Sequence, residues 1–277
     1  MNIFNAIILG VLQGLTEFLP VSSSGHLVLM QKIFGITEPA LFFDTMLHMG
    51  TLLAVFVVLW RDIWGILKRI IQPLTLYLII ATIPAVIIAI AFGDSIEHAF
   101  ESGKFLGVCF LITTALLVTA EFLSKRAISS GGLKSGDKMN WLDALVIGIM
   151  QAVAIAPGIS RSGATISGAL SRKLDRDFAA RFSFLLSIPA ILGAAVLQSV
   201  KLLRGGSETE IANAAAGESI GAAAIIAGTV SAAIVGFFAM KLMLKLIREK
   251  SLFGFAIYTA VLGILVIIDQ TITHIKF

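Results

Sequence analysis

Charge is what this chain has least of. Lys, Arg, Asp and Glu make up 14% of its 277 residues, against about 25% in a soluble domain, and 57% of the residues are hydrophobic. A soluble globular enzyme is excluded on that balance, and an integral membrane protein is expected. There is one cysteine, Cys109, set in an apolar run, so no intrachain disulfide framework can form. The net charge is only +4, so the basic residues carry meaning by placement and no nucleic-acid partner is expected. The N-terminus has no basic leader and breaks at Pro20-Val21-Ser22 without a small-x-small site, so it does not read as a cleaved signal peptide.

What is abundant is apolar length. Six runs reach the roughly 17–25 residues that a helix needs to cross a bilayer: Phe43–Trp60, Leu74–Phe92, Phe105–Leu123, Phe182–Val200, Ile220–Met240 and Leu252–Ile268. Two more, Ile3–Leu19 and Trp141–Pro157, end at Pro/Gly/Ser breaks and are followed by short second segments. Irregular backbone at membrane depth survives only where protein buries it or it lines a water-filled cavity. Segments 3–34 and 141–173 therefore read as re-entrant helix–loop–helix hairpins. The cations near 61–69, 124–140, 172–181 and 241–250 place those loops in the cytoplasm by the positive-inside rule. The acidic loops at 93–104 (Asp94, Glu97, Glu101) and 204–219 (Glu208, Glu210, Glu218) then lie outside. This alternation holds only if neither hairpin crosses. The first then opens outward, the second inward, and both termini lie outside.

An internal repeat points the same way. At an offset of 138 residues, Asn2, Ala6, Gly10, Gln13, Ser22, Ser24 and Gly25 meet Asn140, Ala144, Gly148, Gln151, Ser160, Ser162 and Gly163. Chance likeness between apolar helices would supply Ala and Gly matches, but not a Gln and a Ser-x-Ser-Gly in one register. Each half holds one hairpin and three crossings, and three is odd, so the second half is inverted. The fold class expected is an all-α polytopic membrane protein, a single membrane domain over 1–277 built from inverted repeats 1–138 and 139–277. Such repeats, with broken helices meeting near the midplane, form a transporter-type architecture.

The repeat also shows where the halves differ. Glu17 faces Ile155, Ser23 faces Arg161, and His26 faces Ala164. One half offers an acid, a hydroxyl and an imidazole, and the other a guanidinium. Gln13 and Glu17, four residues apart, share a helical face. Glycines beside a helix start let backbone N–H groups approach an anion, and Arg161 adds a planar fork suited to phosphate oxygens. A phosphorylated substrate is the economical reading. Ionisable groups at membrane depth are expensive and point to function. Asp44, His48 and Thr51 form a polar stripe at i, i+4, i+7 on the first crossing. They serve the site from behind or join helices by hydrogen bonds. Glu121 and Asp269, near crossing ends, are expected to reach the interface.

The motifs Gln13-Gly14-x-Thr16-Glu17-Phe18-Leu19-Pro20-x-Ser22-Ser23-Ser24-Gly25-His26 and Pro157-Gly158-x-Ser160-Arg161-Ser162-Gly163-Ala164-Thr165 resemble those of the bacterial undecaprenyl-pyrophosphate phosphatase family, whose bacitracin-resistance members recycle the lipid carrier of cell-wall synthesis. The resemblance covers the whole chain. It implies hydrolysis of undecaprenyl pyrophosphate to undecaprenyl phosphate and inorganic phosphate at the outer face of the plasma membrane. It also implies that Glu17, Ser23, His26 and Arg161 are the active-site residues, and that a divalent cation, Mg²⁺ or Ca²⁺, supports activity. Family members often carry a second glutamate where this chain has Gln13. Glu17 is therefore the one carboxylate the first motif offers a metal, and a cation is expected to arrive with the pyrophosphate.

Within that reading Arg161 and the loop amides take the phosphate oxygens. Ser23 is the nucleophile or orients the attacking water. Glu17 is its base or a metal ligand, and His26 protonates the leaving phosphate or is itself the nucleophile. Ser22 and Ser24 satisfy broken-helix backbone and, with Gly25, Ser160, Ser162, Gly163 and Thr165, line the substrate. Gln13, Gln151, Asp44 and His48 stand behind them. The expected partners are a polyprenyl pyrophosphate lipid and the membrane, with self-association left open. A lipid-phosphate flippase or carrier is the competing class, since architecture does not fix function.

Overall fold

The computed structural model describes residues 1–36, 41–205 and 221–273. Eleven α-helices dominate them: α1 Ile3–Phe18, α2 Ser23–Ile33, α3 Leu41–Val58, α4 Trp60–Lys68, α5 Pro73–Ser102, α6 Leu106–Ser129, α7 Trp141–Val153, α8 Arg161–Ser171, α9 Arg176–Gly205, α10 Ala222–Glu249 and α11 Phe253–Ile268. Among the described residues there is no strand, only one backbone bridge between Lys134 and Leu174. The protein is an all-α polytopic membrane protein. Among the described residues five helices are each long and apolar enough to cross a bilayer: Pro73–Gly93 within α5, then α6, the part of α9 over Arg176–Val200, α10, and α11 extended to Ile272.

The expected crossing Phe43–Trp60 is a sixth candidate, and it is bent. The helix stops at Val58, the backbone turns at Leu59, and Trp60 begins a new helix bent by 78° from α3. The crossing expected at Ile220–Met240 begins at Ala222, and Ile220 lies outside the described residues, as do Glu208, Glu210 and Glu218.

The two broken segments are short. α1 has 16 residues and α7 has 13, about 24 and 20 Å of helix at 1.5 Å per residue, below the roughly 30 Å hydrocarbon thickness. Each is followed, after a few non-helical residues, by an 11-residue helix, α2 or α8. Both segments are helix–loop–helix hairpins.

Several residues matched by the 138-residue offset do the same job twice. Asn2 and Asn140 are N-caps, their Oδ1 atoms accepting from Asn5 N at 2.7 Å and Asp143 N at 3.0 Å. Ala6 and Ala144 are fully buried. Ser22 Oγ accepts from Gly25 N at 3.2 Å, and Ser160 Oγ accepts from Gly163 N at 3.0 Å. Such caps satisfy amide groups that a helix start leaves free. Helix contacts pair in the same way: α1 packs on α10 as α7 packs on α5, α3 packs on α10 as α9 packs on α5, and α6 meets α11.

Small residues make these contacts close. In α1, Gly10 and Gly14 lie against Gly228, Ala232 and Gly236 of α10, and Gly148 of α7 lies against the backbone of Ala81 in α5. Close packing of small residues is how helices associate without a hydrophobic driving force between them. A Cβ on Gly10 would stand 2.2 Å from the Gly228 carbonyl oxygen, and backbone cannot yield. Gly10→Ala is therefore expected to destabilise the protein by about 1–3 kcal/mol. Gly193→Ala, where a Cβ meets nothing within 4 Å, should be neutral or stabilising. Thermal unfolding of the two variants in detergent is the measurement. An unchanged midpoint for Gly10→Ala would show that α1 can slide on α10.

Two acids expected or found near helix ends are buried in ion pairs. Glu121 does not reach the interface. It is 1% exposed, paired with Arg176, and accepts from Leu252 N at 3.1 Å. Burial there removes water as a partner, so the arginine and amide must replace it. Asp143 is likewise fully buried, between Arg172 Nε at 2.7 Å and Lys134 Nζ at 3.2 Å.

Candidate active site at the crossing of the hairpin tips

The hairpin tips meet at Gly25 and Gly158, and again at Gly163 and Pro20. A Cβ on Gly25 would lie 3.0 Å from Gly158 Cα, and one on Gly163 would lie 3.4 Å from Pro20 Cβ. Positions 20 and 158, like 25 and 163, are equivalent by the offset, so each tip rests on the other in the same manner. Ser162 Oγ adds a hydrogen bond to the Leu19 carbonyl at 3.1 Å. Ser22, which caps α2, holds φ at +72°, a conformation that costs a non-glycine residue energy and clusters at functional sites.

Glu17 is the hub of this crossing. One oxygen, Oε1, accepts from Arg161 Nη2 at 2.5 Å. The other, Oε2, accepts from Ser23 Oγ at 2.6 Å and Gln13 Nε2 at 3.0 Å. His48 Nε2 stands 3.6 Å from the same Oε2. The carboxylate is 6% exposed and Gln13 fully buried, so the four partners stand in for water. His48 is aimed by its own Nδ1–H, which donates to the Asp44 carbonyl at 2.7 Å. Asp44 Oδ1 accepts from Gln31 Nε2 at 2.7 Å. Acid, hydroxyl, guanidinium, amide and imidazole thus converge from α1, α2, α3 and α8.

Arg161 opens α8 directly after the Ser160 cap. Its Nη1 donates to the Ser183 carbonyl at 3.1 Å. With Glu17, that engages two of the five guanidinium N–H donors and leaves three for an anion.

His26 is placed differently. Its Nδ1–H donates to the Ser22 carbonyl at 2.7 Å, so its neutral Nε2 accepts from Tyr258 Oη at 2.7 Å. The imidazole stacks on the Tyr258 ring at 5.7 Å and meets the edge of Phe110. Among the described residues no hydrogen bond or ion pair joins His26 to the Glu17 cluster.

The remaining expected residues carry the tips. Ser22 and Ser24 lie Oγ to Oγ at 3.4 Å, and Ser160 and Ser162 repeat this at 3.3 Å. Thr165 donates to the Arg161 carbonyl at 2.8 Å and pairs with Ser183 Oγ at 2.6 Å. It braces the residue that holds Arg161. Gln151 Nε2 donates to the Ala81 carbonyl at 3.3 Å, so it joins α7 to α5 and stays outside the hub. Three residues were not expected: Tyr258 and Ser183, and Thr113, whose hydroxyl accepts from Ser160 N at 3.0 Å and anchors the second tip. None carries a periodic or motif signal. Tyr258 is one of only two tyrosines.

The donor set suits a hard cation only in part. Among the described residues no three His, Cys, Asp or Glu side chains converge. The hub offers the Glu17 carboxylate, the Ser23 hydroxyl and Gln13 Oε1, which is buried without a hydrogen-bond partner. Mg²⁺ and Ca²⁺ take six or more oxygens, so the rest would come from a phosphorylated ligand.

A family model described as Bacitracin resistance protein BacA matches residues 6–265. The chain belongs to that family. It is 45% identical over 270 residues to an undecaprenyl-diphosphatase of Carboxydothermus hydrogenoformans, covering 98% of each chain. An undecaprenyl-diphosphatase 3 of Bacillus cereus is also 45% identical, again over 98% of each chain. One from Halothermothrix orenii is 41% identical, over 97% of this chain and 98% of its own length. In this BacA-family chain all of Glu17, Ser23, His26 and Arg161 lie within the matched segment, and three of the four are in direct hydrogen-bonded contact through Glu17.

Proposed function

We propose that this chain is an undecaprenyl-diphosphatase, a hydrolase that converts undecaprenyl pyrophosphate to undecaprenyl phosphate and inorganic phosphate in a bacterial plasma membrane. The observation that carries this reading is one carboxylate bonded at once to a hydroxyl and to an arginine between two hairpin tips. The names of the relatives agree with it.

Glu17 Oε2 takes the proton of Ser23, or of a water that Ser23 orients, as the oxygen attacks the terminal phosphorus. The P–O–P bridge breaks, and its electrons leave on undecaprenyl phosphate. Where Ser23 is the attacking oxygen, a water deprotonated by Glu17 then displaces Ser23 from the phosphorus and frees inorganic phosphate. Arg161 and the amides at the starts of α2 and α8 take the charge that develops on the phosphoryl oxygens, the main service a protein gives phosphoryl transfer. His48 is placed to take a proton on from Glu17. For His26 to protonate the leaving phosphate, Nε2 must carry that proton and exchange the Tyr258 hydroxyl for the leaving oxygen, while Nδ1 stays on the Ser22 carbonyl. A Mg²⁺ or Ca²⁺ ion bound with the pyrophosphate would neutralise oxygens facing Glu17 and Gln13.

The architecture we infer is a pair of inverted halves, 1–138 and 139–277, with the site opening to the outer face. The equivalent contacts of α1 and α7 support it. Phosphate release by the purified chain in detergent tests the function, because there are no sides to transport between. Absence of release would leave the carrier reading. For orientation, single cysteines at Lys104 and Ser129, at opposite ends of α6, should be labelled from outside and from the cytoplasm respectively. Labelling of both from one side would overturn the topology.

A further inference from the structure

The Nε2 nitrogen of His26 can serve one partner at a time. The other ring nitrogen is committed, its Nδ1–H donating to the Ser22 carbonyl at 2.7 Å, so only Nε2 is left to meet a ligand. An imidazole nitrogen has one in-plane direction for a hydrogen bond, whether it donates or accepts. In this structure that direction is taken. Tyr258 Oη stands 2.7 Å from Nε2, and the two rings lie within 6° of parallel. The phenol oxygen therefore occupies the place that a phosphate oxygen must take before His26 can act on it.

Of the two partners, the imidazole is the fixed one. It is 6% exposed, held by the backbone of its own helix start, and set against the edge of the fully buried Phe110 ring. The phenol is the movable one. Tyr258 is 47% exposed, and among the described residues its side chain makes one hydrogen bond, the bond to His26. Beside it lies a cavity of about 450 Å³, lined also by Thr16, Leu19, Val21, Leu246 and Phe255. Helical side chains lean over the turn before their own. Four residues back on α11 is Gly254, which lines the same cavity and where an added Cβ would meet nothing within 4 Å. A change of rotamer can thus carry the phenol off Nε2 with the backbone unmoved.

We propose that Tyr258 is a positioning residue: between turnovers its hydroxyl holds His26 Nε2 as a stand-in for the leaving phosphate oxygen, and it turns into the cavity when a prenyl phosphate binds. The inference rests on the reading of His26 as the group that faces the leaving phosphate. A stand-in and a binding residue differ in sign. A residue that binds the ligand adds to its affinity, whereas a stand-in subtracts the hydrogen bond that the ligand must break.

The test uses the purified full chain in detergent and undecaprenyl phosphate, the product that carries the leaving oxygen, as the probe. Tyr258→Phe should bind it about fivefold more tightly than wild type, the worth of one neutral hydrogen bond. The same substitution in a His26→Ala background should change nothing, because the bond it removes is already gone. Tyr77→Phe leaves Tyr258 as the only tyrosine, so 3-fluorotyrosine incorporated into that variant gives a single fluorine resonance. Saturation with undecaprenyl phosphate should shift that resonance, and undecaprenol, the same chain without a phosphate, should not. Weaker binding by Tyr258→Phe would make the phenol a contact of the ligand and overturn the proposal, as would unchanged affinity. So would a resonance that does not move, or one that undecaprenol moves equally. Phosphate release from undecaprenyl pyrophosphate, measured on the same preparations, separates the two readings. Release without the shift removes only the exchange at Tyr258, and the shift without release removes only the hydrolase.

Discussion

Glu17→Gln is expected to lower phosphate release by about 10²–10⁴-fold, and raising Mg²⁺ or Ca²⁺ should not restore it. The amide keeps the size of the side chain and can still accept from Ser23, whose hydroxyl lies 2.6 Å from Oε2 in the native protein. What it loses is the capacity to take a proton. The alternative role, cation ligand, predicts a different response, because weakened binding is overcome by mass action. The structure favours the base. Both Glu17 oxygens already accept hydrogen bonds, and the neighbouring position that would supply a second carboxylate is Gln13. The measurement is phosphate release by variant and wild type across a cation titration. Substantial recovery at high cation would make Glu17 a ligand first.

Arg161→Lys should be nearly as damaging, with a loss on the order of 10²–10³-fold, the scale for removing a preorganised donor from a developing oxyanion. A lysine ammonium is a point charge with three donors. It cannot span the Glu17 carboxylate and the Ser183 carbonyl, both held by separate guanidinium nitrogens, and still present a fork to phosphate. Truncation to alanine is the poorer experiment. It would leave Glu17 buried without its cation, a defect worth about 3–5 kcal/mol in stability, and lost activity could then reflect unfolding. The lysine variant keeps the charge, so its unfolding midpoint should stay near wild type while turnover collapses. Wild-type turnover would reduce Arg161 to a generic cation.

Much of this was legible in the sequence, for identifiable reasons. Gln13 and Glu17 share a face because they are four apart on a helix, and that holds whatever surrounds them. Arg161 and Ser23 occupy one repeat position in the two halves, and both bond the Glu17 carboxylate. What was not legible depends on pairing across long separations. Glu121 meets Arg176 across 55 residues, so a carboxylate expected to reach the membrane interface is buried. Tyr258 reaches His26 across 232 residues, and a single tyrosine on a lipid-facing helix has no periodicity to betray it. The bend at Leu59 escaped for another reason. Hydropathy over a window counts apolar residues and is blind to direction, so Trp60, although it starts a helix bent by 78° from α3, extends the run that precedes it.

The contact between Glu17 and Arg161 also sets a clock during synthesis. The two residues are 144 apart in the chain, and at 5–20 residues per second a ribosome takes roughly 7–30 s to pass from one to the other. Throughout that interval the first hairpin exists with a Glu17 whose arginine has not been made and a Leu19 carbonyl whose Ser162 donor has not been made. Membrane hydrocarbon would not tolerate them. The first hairpin must therefore wait, sheltered in the insertion machinery or at the lipid surface, until α8 emerges and the two tips can close on each other. Nascent chains arrested before Arg161 should accordingly leave Glu17 open to water-borne reagents, and chains arrested after α9 has cleared the ribosome should not.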